Sequence, residues 1–196
     1  MNNIKIYVIN LLKRKDRKIH IENMFLEKSI DNYEFVSAIE TAQGYYGCVL
    51  SHIKALQKAK LEDLPEVLIM EDDFHFTGNG VFIYPPKCDV CLYGCNVINR
   101  EKITGLEYEN FYKVNKAQQT DFYLVKKHYY DKLINIFIQS LMNLLMNYEK
   151  ENYLDIYWIK AQKEDLFICP KIRLGHQIKG FSDIKNKIVN RDLPLS

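Results

Sequence analysis

Apolar residues fill positions 4–10 almost without a break: Ile4-Lys5-Ile6-Tyr7-Val8-Ile9-Asn10. A β-rich run that is apolar on both alternating sets of side chains predicts a strand buried on both faces, as in a parallel sheet. The period then changes. Arg17, Ile21, Met24, Phe25 and Lys28 fall at helical spacing, with Ile21, Met24 and Phe25 predicted to face the core. A strand is expected at 33–38. Gly44 and Gly47 then break the chain before a helix with Val49, Ile53 and Leu56 on one face. After Pro65, Glu66-Val67-Leu68-Ile69-Met70 gives the clearest strand signal and runs straight into Glu71-Asp72-Asp73. Further strands are predicted at 89–93, 120–125 and 166–169, and helices at 128–148 and 153–161. The stretch 96–116 reads as polar and loop-like with a short strand at 111–114, and the tail beyond Pro170 as polar and irregular. Strands alternating with helices predict an α/β fold with a Rossmann-like, mainly parallel sheet flanked by helices. Without repeat, linker or low-complexity tract, residues 1–196 read as one domain.

Composition narrows the function classes. The chain has 196 residues, 47% hydrophobic and 27% charged, which suits one globular domain. Its net charge is +2, with acids interspersed among the bases, so no nucleic-acid partner is expected. No apolar run reaches the roughly 18 residues of a membrane span. The nearest, 133–146, is interrupted by Asn135, Gln139, Ser140 and Asn143. Lys5 and Asn10 interrupt the first apolar run, which therefore does not read as a secretory leader. Five cysteines, an odd number, fit free thiols and a cytoplasmic protein, peripheral to a membrane only through its acceptor. Cys88, Cys91 and Cys95 invite a zinc reading but lack a second ligand pair at finger spacing, so they read as packed thiols. No phosphate loop or dinucleotide fingerprint occurs. The 14 tyrosines suit sugar rings and core edges alike.

The acidic cluster carries the chemistry. Side chains alternate along a strand, which sets Glu71 and Asp73 on one side and Asp72 on the other. Carboxylates this close oppose one another's ionisation unless a cation relieves them. Mg²⁺ or Mn²⁺, a hard ion with oxygen ligands, does so, and the crevice beyond the carboxyl ends of an open α/β sheet is where ligands bind. Such an ion completes its shell with water and substrate phosphates and stabilises a departing diphosphate. A solvated acidic turn would use the same residues.

Several motifs stand in order along the chain. They are Ile6-Tyr7-Val8-Ile9-Asn10-Leu11 with Arg14, Asp16 and Arg17; Gly47-Cys48-Val49-Leu50-Ser51-His52; and Leu68-Ile69-Met70-Glu71-Asp72-Asp73. Asp89-Val90-Cys91-Leu92-Tyr93-Gly94, Thr120-Asp121-Phe122-Tyr123-Leu124-Val125, Asp155, and the series Pro170, Gln177, Ser182-Asp183-Ile184 follow. Together these motifs resemble glycosyltransferase family 25, the group of lipooligosaccharide-type and procollagen galactosyltransferases. The resemblance implies a glycosyltransferase-A fold, a UDP-sugar donor carrying galactose or glucose, Mn²⁺ or Mg²⁺, a saccharide or glycoconjugate acceptor, and inversion at the anomeric carbon. It also implies that the segment 171–196 closes the donor site, with Gln177 among the donor-binding residues.

Roles follow from position. Asp73 is the first expected metal ligand, Glu71 shares its side, and His176 is the candidate from distant sequence, with a surface histidine as the plain alternative. Asp72 is expected at the donor ribose or a sugar hydroxyl. Asn10, Leu11, Arg14 and Arg17 lie where backbone could read the uracil and an arginine could pair with the diphosphate. Ser51 and His52, in the first turns of a helix, are read as donor-site residues or as packed polar groups. An inverting transfer needs a base for the acceptor hydroxyl. Asp155 is the first candidate, near Tyr153, Tyr157 and Trp158, which could stack on an acceptor sugar; Asp121 and Asp183 are the reserves. A nucleotide-sugar-binding protein without turnover, and a metal-dependent phosphoester hydrolase, remain the competing readings.

Overall fold

A computed structural model describes residues 3–77, 81–184 and 187–189. In chain order the elements are β1 (Ile6–Asn10), α1 (Lys15–Glu27), β2 (Tyr33–Ser37), α2 (Gly44–Leu61), β3 (Glu66–Glu71), β4 (Phe74–Phe76), β5 (Val90–Leu92) and β6 (Asn96–Lys102). Next come β7 (Phe111–Gln118), β8 (Phe122–Lys126), α3 (Tyr130–Met146), α4 (Leu154–Tyr157), α5 (Ile159–Glu164), β9 (Phe167–Pro170), β10 (Gly175–Gln177), β11 (Gly180–Ser182) and β12 (Lys187–Val189).

Eight strands form one sheet in the order β2-β1-β3-β8-β5-β9-β7-β6. β1 pairs in parallel with both β2 and β3, and β5 with β9. β8 runs antiparallel between β3 and β5, and β7 antiparallel between β9 and β6. All strands but β7 and β8 therefore point the same way. This is an α/β sheet of mainly common direction, as the alternation of periods predicts.

The period of two divides the core cleanly. Tyr7 and Ile9 of β1, with Val67 and Ile69 of β3, pack beneath α2 and α3. Ile6, Val8, Leu68 and Met70 face the other way, against Ile21, Met24 and Phe25 of α1. Each of those α1 side chains is at most 4% exposed, and burying one fully is worth about 1.5–3 kcal/mol. Helices thus cover both faces.

Two regions differ from the sequence reading. The stretch expected as a loop forms the hairpin β6–β7, whose outer strand lies on the edge of the sheet with side chains mostly exposed. The tail expected as irregular supplies β10, which pairs antiparallel with β4, and the β11–β12 hairpin. Both clamp the chain next to the acidic turn.

Candidate donor and acceptor crevices

Alternation along β3 decides where the carboxylates go. Glu71 continues the face of Val67 and Ile69 toward α2. There Thr120 Oγ1 donates to its Oε1 at 2.7 Å and Gln177 Nε2 to its Oε2 at 2.8 Å, with His52 Nε2 3.4 Å away. Asp72 takes the α1 side, where Arg17 Nη1 donates to Oδ1 at 2.6 Å and Asn10 Nδ2 to Oδ2 at 2.7 Å. β3 ends at Glu71 and the next two residues form a turn. Asp73 therefore leaves the alternation that would have set it beside Glu71. Its Oδ2 lies 3.4 Å from the same Arg17 nitrogen.

Arg17 is thus the resident cation of this turn. Asp72 and Asp73 are only 6% and 5% exposed. Burial raises the Asp72 carboxyl above its ordinary range, and the Arg17 charge and the Arg17 and Asn10 hydrogen bonds only partly offset it. An ion pair taken so far out of water costs desolvation that good geometry must repay.

One crevice opens above this floor. Leu11, Arg17, Gly47, Ser51, Asp73 and Asp183 are among its walls, which also include His52, Glu71 and Asp72. Ser51 works mainly as scaffold: its hydroxyl donates to Gly47 O at 2.6 Å and accepts the Ile39 N–H at 2.8 Å. That brings the α2 N-terminus so close that a Cβ on Gly47 would sit 2.4 Å from Ile39 O. Arg14 does not line the crevice but secures its rim. Its Nη1 donates to Asp183 Oδ2 at 2.6 Å, while Asp16 takes its other face and is held down at about 2 by that bond. Arg17 Nη2 donates to Phe181 O at 2.8 Å. Two arginines from the first helical turns therefore hold the C-terminal segment over the crevice. Residues 185, 186 and 190–196 of that segment lie outside the described residues.

A second crevice adjoins the first. Tyr45, Gln119, Tyr153, Asp155 and Gln177 line it, and Cys48, Glu71, Ser182 and Ile184 border both. Tyr45 and Tyr153 stack at 3.7 Å and 16°. Burial, then the neighbouring Tyr153 and Asp155, push the Tyr45 phenol up to about 12. Asp155 Oδ2 accepts the Gln119 N–H at 3.3 Å. Of the aromatic patch expected around it, Tyr153 is in place. Trp158 is fully buried against Tyr123, Phe137 and Phe167, so it belongs to the core. Tyr157 is engaged with Lys160 and Asn143.

The remaining expected residues fall elsewhere. Asp121 is fully buried beneath the floor, where its carboxyl is pushed up to about 7 by burial, against the pull of Arg173, whose Nη2 is 3.4 Å away. His176 sits opposite His75 in the β10–β4 pair, on the strand face away from Gln177. The strand turns it away from the side on which Gln177 reaches Glu71, so it does not join Glu71 and Asp73 as the expected third ligand. The sequence reading assigns no role to Tyr45, Gln119 or Cys48, which the structure brings to the crevices. Cys48 stands one helical turn before His52 and borders both, and the Cys48-x-x-x-His52 spacing is its signal.

Residues 40–153 match the family model of glycosyltransferase family 25 (LPS biosynthesis protein), more than half of the chain. The protein belongs to glycosyltransferase family 25. A protein of Acanthamoeba polyphaga mimivirus, provisionally named a glycosyltransferase, is 32% identical over 101 residues. That alignment covers 40% of this chain and 31% of the viral protein, so the chain spans about a third of the curated relative it matches. Among solved structures, a glycosyltransferase involved in glycosylation of the major capsid of PBCV-1 is similar at 8% identity and TM-score 0.45, covering 85% of this chain and 92% of that one. A Drosophila β-1,4-galactosyltransferase in complex with manganese, UDP-Gal and xylobiose gives 8% identity and TM-score 0.47, covering 96% and 71%. A nucleoside-diphosphate-sugar pyrophosphorylase from Vibrio cholerae gives 10% and 0.40, covering 84% and 71%. Scores this low say nothing about donor or metal.

Proposed function

We propose that this chain transfers a hexose, galactose or glucose, from a UDP-sugar to a hydroxyl of a saccharide or glycoconjugate, with inversion. The observation that carries the reading is the meeting of two chemically different crevices at Glu71. The first has an acidic floor, an arginine and close-packed glycine backbone, suited to a diphosphate with a cation. The second has stacked tyrosines beside a carboxylate, suited to a sugar ring bearing a reactive hydroxyl. A sugar bound with its anomeric carbon near Glu71 would lie within reach of both.

In this reading Glu71 and Asp73 are the residues that would hold Mg²⁺ or Mn²⁺, since their oxygen donors suit a hard ion. The ion would supply Lewis-acid stabilisation of the departing diphosphate. Arg17 adds fixed positive charge at the same place, and Asn10 and Asp72 orient it. Leu11 and the backbone beside it form the wall for the base, and Gln177 orients Glu71. Asp155 takes the proton of the acceptor hydroxyl, with Asp183 as the reserve. Ser182, Asp183 and Ile184 close the donor side.

A panel of UDP-sugars with Mn²⁺, then with chelator, tests this. UDP release is expected with UDP-galactose or UDP-glucose, abolished by chelator. Asp73→Asn should lower turnover by about 10²-fold or more, the scale of losing a group that stabilises developing charge, with an unchanged circular dichroism spectrum. Full turnover in folded Asp73→Asn would reject the metal role. Cleavage of nucleoside diphosphates lacking a sugar, at equal rate, would favour the competing reading of a metal-dependent phosphohydrolase.

A further inference from the structure

Cys48 and His52 stand four residues apart on α2, so their side chains share one face of the helix. Glu71 reaches that face from the end of β3. The Cys48 sulfur, an imidazole nitrogen and a carboxylate oxygen all lie within 4.8 Å of one another, and His52 Nε2 is 3.4 Å from Glu71 Oε1. A tetrahedral zinc ion, with bonds of about 2.0–2.3 Å, holds its donors roughly 3–4 Å apart. The triad is close to that spacing without an ion to draw it together.

The surroundings hold two of the three donors in place. His52 Nδ1 and the Tyr123 hydroxyl share a hydrogen bond of 2.8 Å, and Glu71 is held through Thr120 and Gln177. Outer partners of this kind fix the tautomer and orientation of metal-binding side chains. The tautomer in which Nδ1–H is given to the phenol oxygen leaves the Nε2 lone pair, 3.4 Å from Glu71 Oε1, for a metal ion. His52 is only 1% exposed, while Cys48 and Glu71 are half-buried and border both crevices.

We propose that Cys48, His52 and Glu71 form a binding site for a thiophilic divalent cation, Zn²⁺ above all, independent of the glycosyl-transfer reading. Sulfur decides the class. Thiolate and imidazole select zinc, whereas Mg²⁺ and Mn²⁺ favour all-oxygen sites. Three protein ligands leave a fourth position open toward the crevices, as in zinc sites that accept an exogenous ligand. Binding draws Glu71 to the ion, so zinc and a hard ion at Glu71 and Asp73 compete for one carboxylate.

The test uses the full chain with Zn²⁺ and Co²⁺. Competition with a chromophoric chelator should give one Zn²⁺ per chain, and the Co²⁺ form should show a thiolate-to-cobalt charge-transfer band. Cys48→Ser, which changes one atom, should remove the band and weaken Zn²⁺ at least tenfold while circular dichroism is unchanged. Glu71→Gln should weaken Zn²⁺ comparably and serves if Cys48→Ser fails to fold. Asp73→Asn should leave zinc affinity within about twofold. The proposal is overturned if the wild type gives no thiolate band, or if Cys48→Ser binds zinc as well as the wild type. It is overturned equally if Asp73→Asn rather than Cys48→Ser loses the zinc, since the ion then sits in the carboxylate turn.

Discussion

Arg17 answers a question the sequence raises and leaves open. Three successive acids after a buried strand call for a cation, and a divalent ion is the first that chemistry suggests. The arginine is fifty-five residues away from Asp72 in sequence, and only the pairing of β1 with β3 brings α1 over the turn. Removing it leaves two buried carboxylates without their guanidinium. Arg17→Ala should therefore cost roughly 3 kcal/mol, the scale for breaking a buried pair from one side. Chemical denaturation measures that loss. Added Mn²⁺ should stabilise the variant more than the wild type, as a substitute cation for the turn. Asp121 gives a second outcome at this scale. Its folded carboxyl titrates near 7 against an ordinary value of 3.8. Between those limits the folded state holds a proton that the unfolded chain has lost, so stability falls as pH rises from about 4 to 7. Asp121→Asn keeps the shape without the charge. Urea melts of that variant across the same range should show a flatter pH slope than the wild type.

Elements followed from the sequence wherever their side chains had a core to face. β1, β3 and β8 were legible as continuous apolar runs buried on both faces, and the helices α1 to α3 because apolar positions recur at helical spacing and are buried. β6 left no such trace. Its sequence Asn-Val-Ile-Asn-Arg-Glu-Lys lies on the sheet edge and is mostly exposed, so its strand state comes from pairing with β7 and not from burial. β4 and β10 were hidden for another reason: three residues carry no period, and each exists only because the other is present. In the site, the acidic cluster and the helix bearing His52 were legible. The turn at Asp73 and the facing-away of His176 were not, because both depend on where a strand stops. Gly47 shows how tightly one such element is set. A methyl group there meets Ile39 O at 2.4 Å, a backbone atom that cannot swing aside. Gly47→Ala should destabilise by about 1–3 kcal/mol, the range for overpacking, despite the better helix propensity of alanine. Thermal unfolding would register it as a lower midpoint, and a rise would show that the β2–α2 connection yields.

At the scale of the whole molecule, the start of α1 and residues 181–183 meet over the first crevice. The first helical turns supply Arg14 and Arg17, and the C-terminal segment supplies Phe181 O and Asp183. The sheet is complete without this junction, since its last strand is β9. The arrangement therefore resembles a strap fixed across a finished core, so loosening it should cost ligand affinity before it costs stability. Asp183→Asn tests this, because it keeps the side chain's size and removes the charge facing Arg14, whose pair is less than a fifth exposed on either side. Losing a charge-assisted bond of this kind is worth about 1.4 kcal/mol, or tenfold in binding. The expected outcome is a KM for the UDP-sugar raised about tenfold, with kcat within twofold and a melting temperature within a few degrees of the wild type. The opposite split is equally informative. Were kcat to collapse with KM unchanged, Asp183 would be removing the acceptor's proton, and the strap would have to be assigned to Arg17 and Phe181 alone.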